Sequence, residues 1–474
     1  MTKHVPKTSG SAITGAIQIW EDDPGSGVVT QAPLPDPKKT PFAYDFPGAA
    51  PAPSSDHSSA AFRYWVAAEA LRRGADFWAP ALPTKQWQVG PKLKVLLDEG
   101  EDLNAYYDRK ALNFFHGPSP DGTVYSGDSP DIVCHEMGHA ILDSIKPELW
   151  DAASQEAGAF HESTGDMSAI LSALQLPSLR AAILKDTSGQ LYRSSRLSRL
   201  AEQLGSAIRA QAPDAVERDC LRNAVNSFNY QDPSTLPMQA PAAQLASEVH
   251  SFSRVFTGAF YEALAGFLRA SAAHADSPTA DELLAVSQQM RDILVEAIVN
   301  APVVSNFYAQ VAAAMVQASG KANAAYPAIL NSVFVRRAIL SLDTATSLQA
   351  MHVASAAALA APAKLGPLDK VALPAAHYGL SEPLVVETPS HPRVFATFAA
   401  TVNARSREPS GSVAAATAFV DALFAQGRVD YGELRTDKLA FAQGRRMKTH
   451  KIVRESGALH LKRRLFDCGC RHCA

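Results

Sequence analysis

Ser129-Pro130-Asp131-Ile132-Val133-Cys134-His135-Glu136-Met137-Gly138-His139 is the stretch on which the reading of this chain turns. Ser129 offers a capping oxygen, and proline sits in the first turn. Ile132, Val133, Ile141 and Leu142 share one side, so the pattern predicts a helix ending near Lys146-Pro147. On such a helix His135 and His139 lie one turn apart on one face. Both imidazoles can then reach a single tetrahedral zinc, while Glu136 points to water at the metal. Downstream, Glu156-Ala-Gly-Ala-Phe-His-Glu162-Ser-Thr-Gly-Asp166 supplies a second helix. Glu162 can close the coordination sphere from it, and Asp166, one turn on, can accept the outer N–H of a ligating histidine. Cys134 reads as a small buried hydrophobe rather than a nucleophile.

Working outward, residues 1–55 are rich in Pro, Gly, Ser and Thr and are expected to form an extended arm. From Ser58 to Phe77, apolar residues recur at helical spacing. Leu93–Leu97, Ala105–Tyr107 and Leu112–Phe115 read as strands, with turn chemistry at Gly117–Gly122. Residues 56–172 are thus expected to form a lobe with a small mixed sheet and the two metal-binding helices. Helical periodicity dominates 173–365, a lobe completing a cleft. Residues 366–474 read as a small α/β appendage with a helix near Val413–Phe424 and a hairpin turning at Ser456-Gly457. The fold class is α+β.

The 474 residues are 47% hydrophobic and 19% charged, with a net charge of −3. That is enough chain to bury full cores, and it gives no electrostatic basis for binding nucleic acid or an anionic membrane. The start lacks the apolar region of a Sec signal, and Val353–Ala363 is too short to span a bilayer. The expectation is a soluble protein, cytoplasmic or exported by a non-Sec route. Five cysteines, three of them at Cys468, Cys470 and Cys473, fit reduced thiols better than a disulfide framework.

The two metal segments together, H-E-x-x-H and then G-A-x-x-E-x-x-x-D, resemble the thermolysin-type gluzincin metallopeptidases. Asn104-Ala105-Tyr106-Tyr107 resembles the edge strand with which that family pairs a substrate backbone. Asp131-Ile-Val-Cys-His135 resembles the run entering its active-site helix. Leu221-Arg222 with Tyr230-Gln-Asp232-Pro233 resembles the segment whose arginine binds a substrate carbonyl, and Val249-His250-Ser-Phe-Ser253 the one whose histidine donates to the oxyanion. The likeness covers roughly residues 104–260. It implies one catalytic zinc on His135, His139 and Glu162, Glu136 as general base, and a polypeptide substrate bound by Asn104, Ala105 and Arg222, with His250 as oxyanion donor.

Four positions depart from the family. Trp150 stands where a second oxyanion donor, a tyrosine, is expected, and its indole N–H is a weaker, differently placed donor. Leu245 stands where an aspartate orients the catalytic histidine, unless Glu248 substitutes. Ala173 and Leu174 replace the acidic cluster after Asp166, so no paired calcium site is expected. Two other readings remain open: a gluzincin aminopeptidase, for which no G-x-M-E-N-like segment precedes the motif, and a zinc-binding scaffold with lost turnover. The segment Asp467-Cys468-Gly-Cys470-Arg-His-Cys473 could bind a thiophilic metal, or fold over the cleft and present a thiolate to the catalytic zinc. Unchanged activity after deletion of 467–474 would sink the latter idea.

Overall fold

The computed structural model describes residues 15–346, 348, 368–390, 412–432, 434 and 447–468. Val353–Ala363, Cys470 and Cys473 lie outside them.

The chain is a mixed α+β protein. Its first strands lie where an arm was expected. β1 (Ala16–Trp20) and β2 (Val29–Pro33) form an antiparallel hairpin, and β3 (Ala43–Asp45) joins a larger sheet. Ile17, Ile19, Phe42 and Tyr44 are buried, so enough apolar side chains interrupt the prolines to anchor the segment. α1 (Ala60–Trp78) follows, capped by Ser59. Next come β4 (Lys92–Leu96), β5 (Ala105–Tyr107) and β6 (Ala111–Phe114), then the hairpin β7 (His116–Ser119) and β8 (Gly122–Tyr125).

α2 (Pro130–Ile145) and α3 (Gln155–Ala173) carry the metal motif. Ser129 caps α2 through the Ile132 N–H, with Pro130 in the first turn as the sequence dictates. The helices cross closely at two glycines. A Cβ on Gly138 would lie 2.8 Å from the Gly165 Cα, and one on Gly165 would lie 2.5 Å from the His135 ring. Only hydrogen fits at either position, so these glycines set the separation of the helices that carry His135, His139 and Glu162.

Beyond them lie α4 (Pro177–Thr187), β9 (Arg199–Leu200), α5 (Glu202–Gln211) and β10 (Arg222–Asn223). The helical body continues with α6 (Val249–Ser271), α7 (Ala280–Asn300), α8 (Phe307–Ser319) and α9 (Tyr326–Arg336). Buried Lys146, just past α2, donates to the Ala301 carbonyl at 2.7 Å, tying the motif helix to the end of α7.

A second, smaller core forms around β11 (Asp369–Leu373), β12 (Leu384–Thr388), α10 (Ser412–Ala425), β13 (Val429–Asp430), β14 (His450–Glu455) and β15 (Ala458–Arg463). These strands make one sheet in the order β11-β12-β15-β14-β13. The β14–β15 turn is Ser456-Gly457, both with positive φ (51° and 82°), as a two-residue hairpin loop requires. After β15 the chain leaves this unit. β16 (Phe466–Asp467) pairs antiparallel with β5, and Phe466 and Cys468 join the main core. The principal sheet therefore runs β16-β5-β6-β4-β3. Among the described residues no single helix is long and apolar enough to cross a membrane.

Candidate metal centre

His135, Glu136 and His139 form a fully buried group whose ligand atoms lie within 4.8 Å of one another, an arrangement that could hold a metal ion. Glu162, from α3, approaches both imidazoles: Oε2 lies 3.3 Å from His135 Nε2 and Oε1 3.7 Å from His139 Nε2. Two ligands of a tetrahedral zinc, each about 2.0–2.1 Å from the ion, are separated by ~3.4 Å. Glu162 and the two histidines are spaced for that.

The hydrogen-bond accounting points the same way. His135 Nε2, both nitrogens of His139 and both carboxylate oxygens of Glu136 and of Glu162 are buried with no hydrogen-bond partner among the described residues. Buried polar atoms left unsatisfied cost about 1–3 kcal/mol each, more when charged, so such a convergence is stable only if a cation or water answers it.

Around this group, the outer contacts fix the ring positions. His135 Nδ1 lies 3.1 Å from Asp166 Oδ1 and donates to it, leaving Nε2 turned inward. Arg222 donates to Asp166 at 2.8 Å and Thr257 at 3.2 Å. Burial alone would raise the Asp166 pKa, but the Arg222 charge and the His135 contact outweigh it and hold the carboxyl down at about 2. Burial opposes charge on His135 too, yet Asp166 and Glu162 carry its pKa up to about 9. The carboxylates thus create a strong preference for positive charge at this spot. Burial drives His139 the other way, well below the usual range, with the His135 charge adding to it. Glu136 is pushed up to about 8, chiefly by burial.

His250 reaches the same centre from the first turn of α6, its Nε2 3.5 Å from Glu162 Oε2. Leu245 offers it nothing polar; Glu248 does. Glu248 caps α6 through Oε2, accepting from the His250 and Ser251 N–H groups, and takes His250 Nδ1 on Oε1 at 2.7 Å. Burial disfavours the Glu248 charge, but the contact with His250 outweighs it and holds that carboxyl down at about 2. A helix cap therefore serves as the orienting carboxylate, two residues before the histidine.

The strand expected to receive substrate is already paired. Ala105 O accepts from the Cys468 N–H at 3.0 Å, the Asp467 carbonyl accepts from His250 Nε2, and Arg222 Nη1 donates to the Cys468 carbonyl at 3.4 Å. Asn104, expected to bind substrate, turns its Oδ1 to the Ala105 N–H and its Nδ2 to Met447 Sδ. Trp150 does not aim its indole N–H at the centre. It donates to the Arg463 carbonyl, while Arg109 stacks over its ring at 4.5 Å.

Sequence reasoning missed His161, next to Glu162 and fully buried. Its ring stacks on Phe466 with centroids 4.0 Å apart, and Phe466 in turn stacks on His139 at 5.1 Å. Trp150 meets Phe466 edge-on, and the Arg463 guanidinium lies 4.0 Å over its other face. Nothing near His161 in the sequence announced a partner three hundred residues away. Cys134 is buried with its thiol pushed up to about 12 by burial, as an inert core residue should be.

A scan against protein-family models matches none, and a search of curated proteins finds no significant match.

Proposed function

We propose that the protein is a zinc-dependent metallopeptidase of thermolysin-like gluzincin character. The observation that carries this reading is the set of buried atoms on His135, His139 and Glu162 that have no hydrogen-bond partner among the described residues, with Glu162 at tetrahedral spacing from both imidazoles and Glu136 beside them. The donor chemistry suits zinc: two imidazoles and a carboxylate leave a coordination position open, as hydrolytic sites require. When bound, zinc would act as a Lewis acid on a substrate carbonyl and acidify water.

The chain's own groups supply the rest. Glu136 takes a proton from the attacking water and delivers it to the leaving amine. His250 faces acceptors on both nitrogens, so it donates at both and can stabilise negative charge on the carbonyl oxygen. Arg222 holds the next carbonyl, and β5 aligns an extended backbone by strand addition. Polypeptide is the substrate class that such an edge recognises.

The test compares metal content and hydrolysis of quenched peptides by the native chain and Glu136→Gln. The expected result is one equivalent of zinc in both and turnover in the native chain, lowered by at least ~100-fold in the variant. Equal hydrolysis by both forms, or no zinc in either, would sink the reading. Because β16 occupies the edge, a second reading is a zinc-binding scaffold with a closed cleft; zinc without hydrolysis of any peptide would leave that one standing.

A further inference from the structure

The segment lying along β5 is placed as a substrate, not merely as a plug. Its peptide bond between Asp467 and Cys468 has its carbonyl oxygen on His250 Nε2 and its N–H on the Ala105 carbonyl, and the following carbonyl is on Arg222. Those three contacts grip one amide at its oxygen, at its nitrogen and one residue beyond. His250, which receives the oxygen, is itself 3.5 Å from Glu162, so the carbonyl sits at the edge of the ligand cluster. Flanking side chains are held as a substrate's would be. Phe466 is sandwiched between His161 and His139 on one side and Arg463 on the other. Asp467 is gripped by both oxygens on Arg428, at 2.9 and 3.1 Å. Cys468 lines a small pocket with His135, Leu221 and Arg222.

From this geometry we infer that the chain is its own substrate, hydrolysing the Asp467–Cys468 bond in cis. The inference rests on the peptidase reading above. One water is consumed: its oxygen bonds to the Asp467 carbonyl carbon, and the C–N bond to Cys468 breaks. One water proton passes through Glu136 to the leaving nitrogen. The products are a chain ending in the Asp467 carboxylate and a separate polypeptide beginning with the Cys468 amine. No redox partner is needed. Cleavage severs the cysteine-rich segment from Phe466 and Asp467, whose grip alone no longer spans the site, and so opens the Cys468 side to other peptides.

The experiment uses the full chain, purified with a chelator and then given zinc. Intact mass is followed with time across a wide dilution range, alongside hydrolysis of an unrelated quenched peptide. Loss of the mass from Cys468 onward is expected, at a first-order rate independent of protein concentration, with peptide turnover rising as the intact form disappears. Glu136→Gln should stay intact. So should Cys468→Pro, which removes the N–H that Ala105 accepts and lies on the bound strand rather than in the fold's core helices. A readout independent of turnover is alkylation of Cys468 in Glu136→Gln, mapped by peptide mass. A docked strand keeps that thiol at least ~10-fold less reactive than it is after denaturation. An intact chain that nevertheless hydrolyses the added peptide overturns self-processing and leaves the peptidase reading standing. A chain that binds zinc and cleaves neither itself nor any peptide defeats both. Cleavage only at a concentration-dependent rate, or at another bond, overturns the inference as well.

Discussion

At Gly165 a single hydrogen atom decides where the His135 ring sits. A methyl there would lie 2.5 Å from the Cε1 and Nδ1 of His135, and that ring is pinned by Asp166 on one side and faces Glu162 on the other. Gly165→Ala must therefore rotate the imidazole or separate the helices. The expected outcome is a folded chain whose zinc affinity falls ~10–100-fold, the loss typical of a disturbed ligand orientation, read by competition with a chromophoric chelator. An unchanged affinity would show that His135 is not a ligand. Glu248 makes the companion case at His250. In Glu248→Gln the side-chain oxygen can still cap α6, but the amide no longer compels a proton on Nδ1, so the ring can donate from Nε2 only as a neutral group. The expectation is a kcat for added peptides lowered by roughly 10-fold or more with KM little changed, since the lost interaction is strongest when negative charge develops on the carbonyl. A change confined to KM would remove His250 from that role. These residues were legible in the sequence to different degrees. His135, Glu136 and His139 share one helical turn, and Glu162 and Asp166 another, so local periodicity alone brings each set to one face. Glu248 could be recognised only as one candidate, because what Leu245 lacks is replaced through a cap geometry that no spacing rule specifies.

Among the elements, α3 does most of the joining. It carries Glu162 and Asp166 near its middle, and at its first turn buried Glu156 accepts from the Tyr230 hydroxyl at 2.6 Å and from the Tyr308 N–H at 2.7 Å, thereby capping α8 from a distant part of the chain. Burial pushes the Glu156 carboxyl up to about 7 despite those two donors. The folded state then holds that proton more tightly than the unfolded chain, whose glutamate titrates near 4.5. The corresponding stability is fully present below the unfolded value and is lost as pH rises through about 7. The swing is on the order of 3 kcal/mol for a group this buried. Glu156→Gln keeps an acceptor for the Tyr308 N–H and turns its amide N–H to the Tyr230 hydroxyl oxygen, in place of the carboxylate oxygen that accepted from that hydroxyl, while removing the charge. Urea unfolding of native and variant chains from pH 4.5 to 8 should show the native chain losing stability relative to the variant by that order. A constant difference across the range would mean the carboxyl stays ionised throughout. The long helices of the body and the β14–β15 hairpin were readable because each is continuous and strongly periodic. β1, β2 and β3 were not, since their alternation is broken by proline and glycine and their apolar residues acquire meaning only against α1 and the sheet. The two-residue β16 has no period at all; pairing with β5 is what makes it a strand.

For the molecule as a whole, the consequential connection is that the smaller sheet unit delivers β16 back to the main core. At that point a buried ion pair spans the two parts. Arg428, just before β13, holds the Asp467 carboxylate at 2.9 Å, and both side chains are more than nine-tenths shielded from solvent. Arg428 also donates to the Met447 carbonyl, which ties the loop before β14 to the same point. Removing the arginine leaves Asp467 charged and unpaired in dry surroundings, a penalty of about 3–5 kcal/mol that the chain can avoid by undocking the strand. Phe466 would lose its place between His161 and Arg463 in the same step, exposing the edge of β5. The expected outcome of Arg428→Ala, built into Glu136→Gln so that no bond is cut, is alkylation of Cys468 faster by ~100-fold, since each ~1.4 kcal/mol of docking free energy is worth tenfold in the open population. Arg428→Lys should fall between, because an ammonium keeps the charge but cannot meet both carboxylate oxygens in a planar fork. Cys134 and Cys220, buried elsewhere, serve as internal controls and should stay unreactive in every variant. If Cys468 reacts no faster in Arg428→Ala while those controls stay protected, the strand is held by its aromatic packing and main-chain bonds alone. Access to the cleft would then be set by the Phe466 pocket rather than by the ion pair between the two parts of the molecule.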